Sequence, residues 1–209
     1  MQSTQFDRIL RRLATILSVV ILTLCLIDLT TEVLLSFYYE PTAGGAYRSL
    51  KTIDTTVAYG WLFHKAHEFA GNSVIAIALI QLVVMFLGRQ FRNSWLTAWI
   101  SGIFFTLSAI ALDWTAMLLD WTQEGYWRFM IELGSIEAIP VIGGQLRNIL
   151  VGGDAINTIT VQHLYALNSY IISPIALLLA IVHLSALLWQ EKEMYGNFNQ
   201  LPAASLVES

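Results

Sequence analysis

The chain has a single cysteine, four prolines and few charges, the charged residues making up 12% of 209. A soluble globular domain carries about twice that charged fraction. One cysteine excludes an internal disulfide framework, and Cys25 stands in an apolar run where a buried thiol is expected. Eleven basic against fifteen acidic side chains exclude a basic nucleic-acid binder. No G-x-G-x-x-G, P-loop, H-E-x-x-H or C-x-x-C occurs, and the Gly-Gly pairs at 143–144 and 152–153 read as helix breakers, not phosphate cradles. No nucleophile stands beside a base, so hydrolysis and group transfer have no support, and the chain alone is not read as an enzyme.

What is present is apolar. Hydrophobic residues are 56% of the chain, in long blocks, and mean hydropathy is +0.61. About 20 apolar residues cross a bilayer as helix. Four runs qualify: about Leu13 to Phe37, Val57 to Leu87, Trp95 to Leu119, and His163 to Trp189. The apolar run after the charged stretch Asp7–Arg12 is too long for a signal peptide and lacks a small-residue cleavage site. The reading is an all-α, four-span integral membrane protein.

Charge orients the bundle. Arg8, Arg11 and Arg12 precede the first span, and Arg89 and Arg92 separate the second from the third. Asp120, Glu124, Glu132, Glu137 and Asp154 follow the third, against only Arg128 and Arg147. The positive-inside rule then puts both termini on the cytoplasmic, or stromal, side. Trp61, Trp95, Trp121, Trp127 and Trp189 fall near span ends, as an aromatic belt would. About 40 residues join spans three and four, and the stretch around Pro140, Gly143 and Gly152 predicts two short helices along the membrane surface.

Ionisable groups inside hydrocarbon need an account. Asp28 and Glu32 share one face of the first span, Asp113 lies deep in the third, and Asp120 at its end. A central charge costs about 2.5–3.5 kcal/mol on insertion scales, so these carboxyls should face the bundle interior. They are open to two readings: a proton or quinone pathway, or neutral carboxyls bonded to a neighbouring helix. Four histidines, His64, His67, His163 and His183, complete the set. Positions 14 or 15 residues apart share a helix face about 21 Å apart, the spacing by which two helices hold two stacked haems. Here His67 meets Gln81 at that interval, and His183 meets Asn168.

The chain resembles the cytochrome b subunit of quinol-oxidising bc and b6f complexes, above all the short four-helix cytochrome b6 form. The pieces are S-F-Y-Y-E-P-T at 36–42, G-W-L-F-H-K-A-H at 60–67, and D-W-T-Q-E-G-Y-W at 120–127. E-A-I-P-V-I-G at 137–143, L-Y-A-L-N at 164–168 and A-I-V-H at 180–183 follow in order. The resemblance implies a four-helix transmembrane domain of cytochrome b N-terminal type over residues 1–193, with a short tail at 194–209.

It also implies two haem b sites, one ligated at the places of His67 and Asn168, the other at those of Gln81 and His183. Each pair keeps one histidine, and amide oxygens are poor iron ligands beside imidazole. His67 and His183 are therefore the iron ligands if haem is kept, with His64 and His163 as stand-ins. Glu32, Asp113 and Ala116 occupy places where the family keeps glycine against the porphyrin, and His64, Glu68 and His163 replace propionate-binding arginines. Asp120 and Thr122 depart from the exit motif of the third span. The family's proline-glutamate quinol motif is absent.

Two functions follow from the resemblance. One is a subunit of a quinol-dependent electron-transfer complex that still passes electrons through haem. The other is a mainly structural subunit whose former haem cavity holds lipid or quinone, with other subunits, and a second copy of itself, as partners. A small proton channel, resting on Asp28, Glu32 and Asp113, is a third.

Overall fold

The computed structural model describes residues 5–88 and 95–198, so Arg89 and Arg92, and residues 199–209 of the expected tail, lie outside the described residues. Among the described residues eight α-helices follow one another: α1 (Gln5–Ser36), α2 (Gly45–Thr55), α3 (Gly60–Leu87), α4 (Leu96–Ala116), α5 (Gln123–Glu137), α6 (Gly143–Val151), α7 (Thr158–Ala166) and α8 (Ser173–Phe198). Four stretches are long and apolar enough to cross a membrane: α1, α3, α4, and the run Thr158–Lys192 that joins α7 to α8. The four-span, all-helical expectation holds. The last helix continues to Phe198, past the boundary expected at 193.

The joint between α7 and α8 is a π-helical turn, Leu167–Ile172, and the sequence supplies its cause. Pro174 has no N–H, and its ring clashes with the carbonyl four residues back in a regular α-helix. A wider turn relieves the clash, and the Ser173 N–H reaches back to the Asn168 carbonyl. Capping fixes the starts of α5 and α7. Thr122 accepts from the Gly125 N–H at the head of α5, and Asn157 forms a reciprocal box with Thr160 at the head of α7. Three non-glycine residues adopt positive φ, Tyr59, Trp121 and Val141, each at the break just before a helix.

Packing divides the bundle along its axis. The start of α1 and the C-terminal part of α8 lie toward one end, called the inner end, where Leu10 and Ala14 of α1 pack with Val84 and Met85 of α3, Ala98 of α4 and Leu187 of α8. Thr15 Oγ1 donates to Glu191 Oε1 there at 2.8 Å. A middle cluster joins Ile21, Val74, Ala78, Phe105, Ala109 and Ala180. At the outer end Leu118, Phe129, Leu133, Val151, Val161 and Leu164 pack the surface helices over the spans. The long connection after α4 is a folded cap containing α5 and α6; α6 falls in the stretch between Gly143 and Gly152, whereas α5 ends at Glu137, ahead of Pro140. The sequence reading did not foresee α2, which docks through Ala46 and Ile53.

Candidate functional site

Four helices enclose a cavity of about 470 Å³ in the outer half of the bundle, within the usual range for a small-molecule or cofactor site. Its deep part is apolar, with Cys25, Val74, Phe105, Ala109, Leu112 and Ala176. Asp28, Glu32, His67, Asp113 and Asn168 line the middle, and His64, Lys65, Glu68, Asp120 and Arg128 stand toward the mouth. Six of the residues singled out in the sequence therefore converge on one space: Asp28, Glu32, His64, His67, Asp113 and Asn168.

His67 is held from α1. Its Nδ1 lies 3.0 Å from Asp28 Oδ1, and 3.3 Å from both the Asp28 carbonyl and Thr31 Oγ1. With a carboxylate and a carbonyl facing it, Nδ1 carries the proton. Asp28 is thus the partner of His67. Asn168 sits in the π-helical turn, and its Nδ2 donates to the Leu112 carbonyl and to Thr115 Oγ1, each at 2.8 Å, tying that turn to α4. Glu32 accepts from Ser173 Oγ through Oε2 at 3.2 Å, while its buried Oε1 has no partner among the described residues.

The cations around the cavity are engaged elsewhere. Lys65 pairs with Glu68 at 2.6 Å, Arg128 with Glu132 at 3.0 Å, and His64 with Asp54 of α2 at 2.8 Å. Among the described residues no lysine, arginine or histidine makes an ion pair with Glu32, Asp113 or Asp120. Burial pushes the Asp120 carboxyl above its ordinary range, although His64 nearby opposes the shift. Tyr39 closes the rim, donating to the Leu119 carbonyl at 2.7 Å, and burial raises its phenol as well. His163 does not reach the cavity. Its Nδ1 faces the Ile149 carbonyl at 3.1 Å, and its ring packs on Gly152, whose positive φ and lack of Cβ permit that approach.

The inner half is built differently. Gln81 is 2% exposed, and His183 1%. Gln81 Nε2 donates to the Ala14 carbonyl at 2.9 Å, joining α3 to α1. His183 Nδ1 faces the Ala98 carbonyl at 3.0 Å and Ser101 Oγ at 3.1 Å, joining α8 to α4. Its Nε2 is buried with no partner among the described residues. The ring packs against Gly102, where an added Cβ would come within 2.8 Å of Cε1. Sequence reasoning missed Thr31, Ser101 and Ser173. A small hydroxyl on the core face of an apolar span was the available signal, because such a group bonds whatever polar side chain shares its level.

Neither level offers the bis-imidazole pair that a haem of this fold takes. In the cavity His67 shares the space with an amide whose nitrogen is bonded to α4, and with the carboxyls of Glu32 and Asp113, which oppose an apolar macrocycle. At the inner level His183 has the form of an iron ligand, Nδ1 on a carbonyl and Nε2 free. Its counterpart Gln81 is an amide already bonded to α1. Among the described residues no three His, Cys, Asp or Glu side chains converge as a separate metal centre.

The family model described as Cytochrome b/b6/petB matches residues 6–191. Cytochrome b6 of Cyanidium caldarium is 29% identical over 162 residues, covering 78% of this chain and 75% of that one. Cytochrome b6 of Bigelowiella natans is 30% identical over 151 residues, covering 72% and 70%. Among solved structures, a chain of a hyperthermophilic respiratory Complex III superposes with a TM-score of 0.68 at 25% identity. That match covers 84% of this chain but 47% of the other, so this chain spans about half the length of that relative. With the helical order, the four spans and these matches in agreement, the chain belongs to the cytochrome b/b6 family.

Proposed function

We propose that the protein is a cytochrome b6-like membrane subunit of a quinol-dependent respiratory or photosynthetic electron-transfer complex, with degenerate haem sites and a mainly structural role. Membership of a complex is supported by the cytochrome b6 relatives and by the likeness to a Complex III chain. The observation that carries the structural role is Asn168. Its amide nitrogen is engaged twice on α4, so the ligand place that shares the cavity with His67 has become a helix-to-helix tie. Glu32 and Asp113 support the same reading, since they set carboxyls where the family packs porphyrin. The cavity then holds lipid or quinone, its apolar depth suiting a chain or ring and its mouth a polar head. Other subunits of the complex, and a second copy of this chain, are the partners, and both termini face the cytoplasm or stroma.

His183 favours a second reading. Its unpartnered Nε2 would serve a haem held through one histidine, leaving a b-type cytochrome with unusual ligation between quinone sites. One measurement separates the two: oxidised and dithionite-reduced spectra of the gently solubilised complex, with haem quantified per chain. The structural reading expects no Soret or α band assignable to this chain. A stoichiometric b-type signal would replace it with the second.

A further inference from the structure

Between the inner and middle apolar clusters lies a layer to which each span contributes a polar side chain with 3% exposure or less. On α1, Ser18 falls between Ala14 of the inner cluster and Ile21 of the middle one. On α3, Gln81 falls between Ala78 and Val84; on α4, Ser101 between Ala98 and Phe105; on α8, His183 between Ala180 and Leu187. Ser18 and His183 are each 1% exposed, Gln81 is 2% and Ser101 is 3%. The four therefore face the core at one level.

Part of the layer satisfies itself. Gln81 donates to the Ala14 carbonyl, one turn from Ser18 on the same face of α1, and His183 Nδ1 meets the Ala98 carbonyl and Ser101. Two atoms are left over, Ser18 Oγ and His183 Nε2. Their chemistry is complementary to a third party. With the Nδ1 proton directed at a carbonyl, Nε2 is a pure acceptor, while the serine hydroxyl both donates and accepts. Inside hydrocarbon an unpaired polar group is costly, and a buried water needs two to four polar partners.

We propose that this layer binds an ordered water molecule bridging Ser18 Oγ and His183 Nε2. This rests on the structural reading above, because the water takes the lone pair that iron would otherwise use. The water completes the layer, so that all four spans are fixed in register at one depth by polar contacts instead of a macrocycle. Sliding any span by a turn would strand these groups among alkyl side chains.

The test uses the full chain, purified in lipid nanodiscs. A high-resolution map should show one spherical density within hydrogen-bond distance of both Ser18 Oγ and His183 Nε2. Ser18→Ala and His183→Phe should each lower Tm by about 2–6 °C, and the double variant should lose clearly less than the sum, because both act on one bridge. Where a variant fails to assemble, the nitrogen spectrum of histidine-labelled protein serves instead, with Ser18→Ala shifting the His183 Nε2 resonance. An empty layer, a direct Ser18–His183 hydrogen bond, or additive losses would overturn the water while leaving the haem-free reading standing. Iron density on Nε2 with a Soret band would overturn both.

Discussion

In the inner half of the bundle, Gln81 and His183 are closed among side chains such as Ala14, Ala98 and Met85 that have no solvent exposure, and each polar contact ties one span to another. In the outer half, His67 and Asn168 line a cavity of about 470 Å³ with three carboxyls, Glu32, Asp113 and Asp120, that pair with no cation among the described residues. One half keeps an imidazole in the form of an iron ligand inside a closed core. The other keeps room, and its wall chemistry opposes a porphyrin. On the proposed reading, loss of one ligand from each pair has had two different outcomes. The inner level became a network of hydrogen bonds between helices, and the outer level became a polar-walled space available to another molecule.

The largest effect should come from trying to reverse the outer half. Asn168→His removes two hydrogen bonds to α4 and leaves Glu32 and Asp113 in place. It is expected to bring no haem. Glu32→Gly and Asp113→Gly added to it should raise haem from background to about one per chain, since bis-histidine ligation and a flat apolar wall return together. Pyridine-haemochrome analysis of membranes reads the result. Equal haem in the single and triple variants would show that the carboxyls are no obstacle, and the contrast between the halves would lose its chemical basis.

A smaller contrast concerns stability. His183→Ala empties a site that is 1% exposed and leaves the Ala98 carbonyl and Ser101 without their imidazole. The expected loss is about 2–4 kcal/mol. Asp28→Asn removes a charged partner of His67 on a cavity wall where Thr31 remains within reach, and should cost about 1 kcal/mol. Paired thermal unfolding in one detergent gives the ranking. A larger loss for Asp28→Asn would make the outer half the more tightly determined one.

Glycines sharpen the same comparison. An alanine methyl at 102 would press on the His183 ring at 2.8 Å, deep between helices, and overpacking of this kind costs about 1–3 kcal/mol. At 71 the added methyl meets only Asp28 Oδ1, at 3.7 Å beside the cavity. Gly71→Ala should be neutral, or stabilising by up to about 1 kcal/mol through helix propensity. Similar losses for both would mean that the outer wall is packed as tightly as the inner one.

Much of this was legible before the fold was in hand, and the exceptions have physical causes. The spans follow from hydropathy. Pairing of Asp28 with His67 was not legible, because the two stand 39 residues apart on different helices and no local pattern links them. His163 stays out of the cavity lining for a geometric reason. Five residues at 100° each leave it well away from the face of Asn168, and the π turn begins between them. His64, three residues before His67, keeps to the cavity side as that spacing requires. Helix α2 escaped notice because its buried face rests on Ala46 and Ile53 with Gly45, too few apolar residues to mark a period.

The smallest expected effect is a pH dependence at the cavity mouth. Burial raises the folded-state pKa of Asp120 above the ordinary 3.8. A carboxyl of this kind holds its proton more tightly when folded. Its contribution is therefore most favourable below the ordinary value, and stability is lost as pH rises through the raised one. Asp120→Asn removes the cost of ionising a buried carboxyl, so the variant should be more stable than the parent near neutral pH. That advantage should shrink as pH falls toward the ordinary carboxyl range, where both proteins present a neutral group. Melting curves of the two across that interval read it directly. An advantage independent of pH would assign the gain to packing or to His64 instead of ionisation. The layer of Ser18, Gln81, Ser101 and His183 contains no carboxyl, so a slope that Asp120→Asn abolishes belongs to the cavity mouth.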